Sequence, residues 1–153
     1  MIPIKSEEDL KMLKKSGKIL SKIMHRLKKF IRAGVSTIEI DRLAEKLIKD
    51  ENVISAFKDY NGFPANICTS VNEEVVHGIP GQKMLKDGDI ISLDAGINYK
   101  GYISDVAITL PVGRIDPKAK KLIEATRNAL SQGIKQARVN NHLSDISYAI
   151  QTY

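Results

Sequence analysis

Sulfur and aromatic rings are scarce in this chain. The single cysteine, Cys68, cannot close an internal disulfide, so the fold must rest on its core and the thiol is expected to stay reduced. Phe, Tyr and Trp together make up only 5% of the residues and no nucleic-acid motif is present, which argues against a base-stacking module. No stretch approaches the roughly 20 apolar residues of a membrane span. The first ten residues hold Glu7, Glu8 and Asp9 and no apolar run, so no signal peptide is expected and the protein is placed in the cytosol. A Gly-rich phosphate loop, a Cys-x-x-Cys pair, a Gly-x-Ser-x-Gly elbow and an internal repeat are all missing, which sets aside nucleotide, redox, serine-hydrolase and solenoid readings.

What is present fits one soluble domain: 153 residues, 42% hydrophobic and 27% charged. The formal charge is +6, and much of it lies in Lys11, Lys14, Lys15, Lys18, Lys22, Arg26, Lys28 and Lys29. These form a basic helix face. It is read either as a solvated surface or as an attraction to an RNA-rich surface such as the ribosome.

Ser6 and Asp9 announce a helix, and Leu10, Leu13, Gly17, Leu20, Met24, Leu27 and Ile31 then recur at spacings of three and four. Ser36 and Glu39 form a second capping box before Ile40, Leu43, Ala44, Leu47 and Ile48. From Val53 the pattern changes to short β-branched runs, Val53 to Phe57 and Ile67 to Val71, separated by turn residues. A hairpin is expected from Asp89–Ile97 and Tyr102–Leu110. Asp116-Pro117 starts a helix to about Arg138. A last helix from about Ser144 is expected to continue beyond Tyr153.

The chemistry is expected on the hairpin. Asp94 and Asp105 are each embedded in an apolar strand, where aspartate is rare and a buried charge is costly unless it is paired or metal-bound. If Tyr99 and Lys100 form the tip, counting back sets Asp94 directly opposite Asp105, on one face. Like charges there repel, and two shared metal ions would turn the repulsion into coordination. An exposed hairpin face, or donors such as Lys100, would satisfy them equally well, and a bulge would shift the pairing. His77, at the end of an apolar stretch and before a glycine, is by position alone either a hydrogen-bonded structural histidine or a catalytic one. His25 and His142 read as structural.

The run Asn72-Glu73-Glu74-Val75-Val76-His77-Gly78-Ile79-Pro80, followed by Leu85-Lys86-Asp87-Gly88-Asp89-Ile90, Asp94, Gly101 and Asp105, resembles type I methionine aminopeptidases. The likeness extends in order from Ile4-Lys5-Ser6 to Leu143-Ser144-Asp145-Ile146. It implies an α/β (α+β) pita-bread fold, here its N-terminal half, with an antiparallel sheet and helices on one face. It also implies removal of the initiator methionine from the N-terminus of nascent chains. By the same resemblance Asp94 chelates one metal, Asp105 bridges both, and His77 hydrogen-bonds substrate near the scissile amide. Tyr60, Phe63 and Cys68 then line the methionine side-chain pocket, where plain packing is the other reading. The cofactor implied is a pair of divalent ions, and cobalt, manganese, iron and zinc all suit such ligands.

The family's further ligands, a histidine and two glutamates, belong to a second half and match nothing here: no glutamate follows Glu124 and the only later histidine is His142. A site built on two aspartates alone should bind metal weakly, so the chain by itself is expected to show little or no activity. A fragment of a longer product, a self-associating half and a degenerate non-catalytic binding module are the three explanations. Apolar surface left open would favour self-association. X-Pro peptidases share the two aspartates but not this His-Gly-Ile-Pro context.

Overall fold

The computed structural model describes residues 3–153. It separates into two compact units, the first ending at Arg114 and the second running Ile115–Tyr153.

In the first unit, α1 (Glu7–Phe30) begins where Ser6 and Asp9 satisfy one another's backbone amides: Asp9 N donates to Ser6 Oγ at 3.2 Å and Ser6 N to Asp9 Oδ2 at 2.9 Å. Helix α2 (Thr37–Asp50) starts similarly, with Ser36 N donating to Glu39 Oε2 at 2.8 Å. Leu20, Ile23, Met24 and Leu27 of α1 and Ile40, Ala44, Leu47 and Ile48 of α2 are buried, as the three-four spacing predicts. They cover one face of an antiparallel sheet that, among the described residues, has four strands: β1 (Ile54–Ser55), β2 (Ile67–Val71), β3 (Ile90–Tyr99) and β4 (Tyr102–Pro111). Strand β3 is central, with β1 and β2 along one edge and β4 along the other. Ser16, fully buried on α1, ties helix to sheet by donating to Tyr102 O at 3.0 Å, and its Oγ meets Ser104 Oγ at 2.8 Å.

Two expectations need correction. The strand expected over Val53–Phe57 is only Ile54–Ser55, because Ser55 Oγ accepts from Phe57 N at 3.0 Å and Lys58 N at 3.1 Å and turns the chain off the sheet. The hairpin register is also different. Tyr99 pairs with Tyr102, so Lys100 and Gly101 form the tip; both have positive φ, 53° and 90°, as a two-residue primed turn requires. Asp94 therefore faces Ala107, and Asp105 faces Gly96. The aspartates are offset by two positions rather than directly opposed, which keeps them on one face.

The second unit is a helix pair. Helix α3 (Pro117–Gln136) is capped by Asp116, whose Oδ1 accepts from Lys118 N at 2.7 Å. It ends at Gln136, whose carbonyl accepts from Asn141 Nδ2 at 2.9 Å. Helix α4 (Leu143–Thr152) opens with His142 N donating to Asp145 Oδ2 at 2.7 Å. The pair closes at Gly133, where a Cβ would stand 2.8 Å from Ile150 Cδ1.

Candidate functional site

Strand parity divides the sheet. Ile91, Leu93, Ala95 and Ile97 of β3 are buried toward the helices, so Ser92, Asp94, Gly96 and Asn98 project from the other face. Register adds Cys68 of β2 beside Asp94, and Asp105 of β4 beside Gly96. On this face lies a cavity of about 580 Å³ that contains Asp94, Asp105, His77, Tyr60, Phe63 and Cys68 together. Every residue singled out from the sequence thus lines one space. A groove of about 690 Å³ between α3 and α4 holds none of them and no cluster of reactive groups, so volume does not decide where the chemistry lies.

Two loops build the wall around the strands. The first, Phe57–Ala65, is held at its base by a buried carboxylate: Asp41 of α2 accepts from Asn66 N at 2.8 Å, Asn66 Nδ2 at 3.1 Å and Ile67 N at 3.2 Å. Ser55 Oγ donates to Asn66 O at 2.9 Å and completes the clasp. The second loop carries His77. Gly78 after it lies so close to β2 that a Cβ would stand 2.2 Å from Thr69 O, and the approach is secured by Thr69 N donating to Gly78 O at 2.8 Å. His77 itself adopts φ 58°, a left-handed conformation uncommon for a non-glycine residue. Its imidazole is thereby set at the cavity, while His25 is exposed on the helix face and His142 starts α4 in the second unit.

Electrostatics mark Asp94 as the unusual group. Burial, reinforced by the charge of Asp105, pushes its carboxyl above the usual aspartate range, and His77 offsets part of this. Its Oδ1 is buried with no hydrogen-bond partner. Among the described residues neither aspartate forms an ion pair, with Lys100 or any other cation. Burial, then Asp94 and Asp105, push the Cys68 thiol up to about 11, so it is neutral near pH 7. A half-buried carboxylate with an unsatisfied oxygen, two register positions from a second carboxylate, is the donor chemistry a hard or borderline divalent cation takes. The fit is partial, since among the described residues no three His, Cys, Asp or Glu side chains group closely enough to hold a metal.

Two members of the site escape a reading by residue type. Phe57 lines the cavity edge-to-face with Phe63, ring centroids 6.5 Å apart at 88°. Gly96 makes room for it: a Cβ there would lie 2.7 Å from Phe57 Cε1. A glycine inside an apolar strand was the available signal, because it marks close approach by another group.

Residues 11–153 match the model of "Metallopeptidase family M24". The chain is 49% identical over 153 residues to "Methionine aminopeptidase 1" of Bacillus subtilis, covering 100% of this chain and 62% of that protein. It superposes on the crystal structure of methionine aminopeptidase from Rickettsia prowazekii with a TM-score of 0.98 and 37% identity, covering 100% of this chain and 62% of that one. The X-Pro aminopeptidase of Thermotoga maritima gives a TM-score of 0.83 at 20% identity, over 97% of this chain and 41% of that one, a likeness of fold alone. The chain thus spans about 62% of the length of the methionine aminopeptidases it matches.

Proposed function

The chain belongs to metallopeptidase family M24 and has the pita-bread fold, and from that premise we propose that it is the N-terminal part of a cytosolic methionine aminopeptidase, releasing methionine from the amino end of new polypeptides. The observation that carries this is one cavity that places an aromatic pocket against two carboxylates, the deeper one with an unpartnered oxygen.

Asp94 and Asp105 are the groups that would hold the divalent ions. Bound ions supply Lewis-acid chemistry, making a nearby water more acidic and polarising a peptide carbonyl. The chain's own part is recognition and orientation. Tyr60, Phe63 and the neutral Cys68 thiol, joined by Phe57, offer an apolar, uncharged surface to a thioether side chain. His77, which lines the cavity on a loop locked to β2, would hydrogen-bond substrate beside the bond to be cut.

The remaining ligands are proposed to come from the further length that the relatives possess. Tested alone, the 153-residue chain should bind manganese or cobalt weakly by calorimetry, lose that binding in Asp94→Asn, and hydrolyse Met-Ala-Ser negligibly. Hydrolysis at an ordinary enzymatic rate would overturn the incompleteness of the site. Metal binding indifferent to both Asp94→Asn and Asp105→Asn would overturn the site, leaving a non-catalytic binding module as the better account.

A further inference from the structure

Between Leu10 and Ile38 the chain has nine lysines and arginines and no aspartate or glutamate. Those nine charges exceed the total of +6, so the rest of the chain is net negative by three. Eight of the nine lie on α1. At roughly 100° per residue, Lys11, Lys14, Lys15, Lys18, Lys22, Arg26 and Lys29 fall within a sector of about 120°, opposite the buried row of Leu20, Met24 and Leu27. All seven are exposed. The stripe is about 27 Å long from Lys11 to Lys29 at 1.5 Å per residue. Among the described residues only Lys11 and Lys22 have acidic partners, Glu8 at 3.9 Å and Glu51.

The outer face of any amphipathic helix is polar, but solvation alone does not select one sign. The outer side of helix α2 mixes Glu39, Glu45 and Asp50 with Arg42, Lys46 and Lys49. On α1, by contrast, Lys11 and Lys15, Lys14 and Lys18, Lys18 and Lys22, and Lys22 and Arg26 are four residues apart, where like charges destabilise a helix. We propose that the outer face of α1 docks on the phosphate backbone of double-helical nucleic acid.

Other polyanionic partners fit less well. A bilayer surface would need a row of apolar side chains to insert, but Leu20, Ile23, Met24 and Leu27 of α1 are buried and, among the described residues, its one exposed large apolar side chain is Leu10 at its start. Single strands are gripped by stacking on aromatic rings, and α1 has no Phe, Tyr or Trp from Glu7 to Lys29. A duplex presents about one phosphate charge per 1.7 Å of axis and can be held by lysines alone, without base readout. Because α1 covers the sheet face opposite the cavity, docking leaves the cavity open. The inference stands or falls independently of the peptidase reading.

The test is fluorescence anisotropy of the 153-residue chain with a 20-base-pair RNA duplex and the matching DNA duplex, from 50 to 200 mM salt. Engaging roughly four to six phosphates gives a log–log salt slope of about −4 to −5. The triple variant Lys14→Gln, Lys18→Gln, Lys29→Gln should lower affinity at least about tenfold and flatten the slope by about 2.7. The corresponding Lys→Arg triple should restore both, and circular dichroism checks the fold. A control triple on the second unit, Lys118→Gln, Lys120→Gln, Lys121→Gln, makes the same charge change and should shift the slope by less than about 1. Unequal binding of the two duplexes would identify the preferred nucleic acid within the proposal. No duplex binding at 50 mM salt, an equal loss in the control triple, or tighter binding to single strands or to 3:1 phosphatidylcholine–phosphatidylserine vesicles would overturn it.

Discussion

The two faces of β3 are built from alternating residues of one strand and do opposite things. Toward the helices, Ile91, Leu93, Ala95 and Ile97 are at most 1% exposed and pack beneath α1 and α2. Toward the cavity, Ser92, Asp94, Gly96 and Asn98 contribute a hydroxyl, a carboxylate, a gap and an amide. The difference teaches that stability and chemistry can be kept apart by a single residue of spacing. The apolar face supplies the free energy of folding, and this lets the other face carry groups that oppose it, above all a carboxylate without a partner.

The largest test of that separation is Leu93→Ala. Removing a fully buried leucine should cost about 2–5 kcal/mol in chemical denaturation while leaving the cavity residues in place. Gly96→Ala probes the exception, a cavity-face position that also packs. Its Cβ would collide with Phe57, so a loss of about 1–3 kcal/mol is expected, together with weaker protection of Cys68 from alkylation as the ring is displaced. If Gly96→Ala were neutral, the aromatic wall would be looser than the geometry shows.

Ser6→Ala acts at the edge of the helix side and should cost about 1 kcal/mol by removing the cap of α1. It carries a pH signature. The Ser6 side chain, its backbone amide and the Tyr102 hydroxyl hold the Asp9 carboxyl below its ordinary value. The stability this adds is present above the unfolded value of 3.8 and is lost as pH falls through the lower folded one. Without Ser6 that loss is smaller and is complete at a higher pH in an acid titration followed by circular dichroism. The smallest effect is expected one residue from the largest. Asp94→Asn in chelator should leave stability within about 0.5 kcal/mol or raise it slightly, because it removes a charge set against Asp105. The same change should abolish any thermal shift produced by manganese or cobalt. A strongly destabilised Asp94→Asn would break the division between the faces.

Much of this arrangement was legible in the residues. The capping pairs Ser6–Asp9 and Ser36–Glu39 and the three-four spacing of apolar residues marked α1 and α2, and β2 lies where its β-branched run is. Asp94 and Asp105 stood out because apolar strands seldom include aspartate. The pairing count failed at one point, the hairpin tip. Placing it at Tyr99-Lys100 rather than Lys100-Gly101 moved the register by two. Parity survived the error, since a shift of two leaves every side chain on its own face. Phe57 was not legible, because a local turn made by Ser55 brings it to the cavity only where Gly96, from a distant part of the chain, leaves the gap that receives its ring.

By itself, then, the sequence determined periodicity, caps, the sign of the charge along α1 and the two strand carboxylates, all set by neighbours within a few residues. Only the tertiary structure decided the two-position offset of those carboxylates, the clasp of Asp41 on Asn66, the close approach of Gly78 to Thr69 and the unpaired oxygen of Asp94. Each of these depends on which distant backbone or side chain arrives beside a residue, and burial and hydrogen-bond partners exist only once the chain has closed on itself.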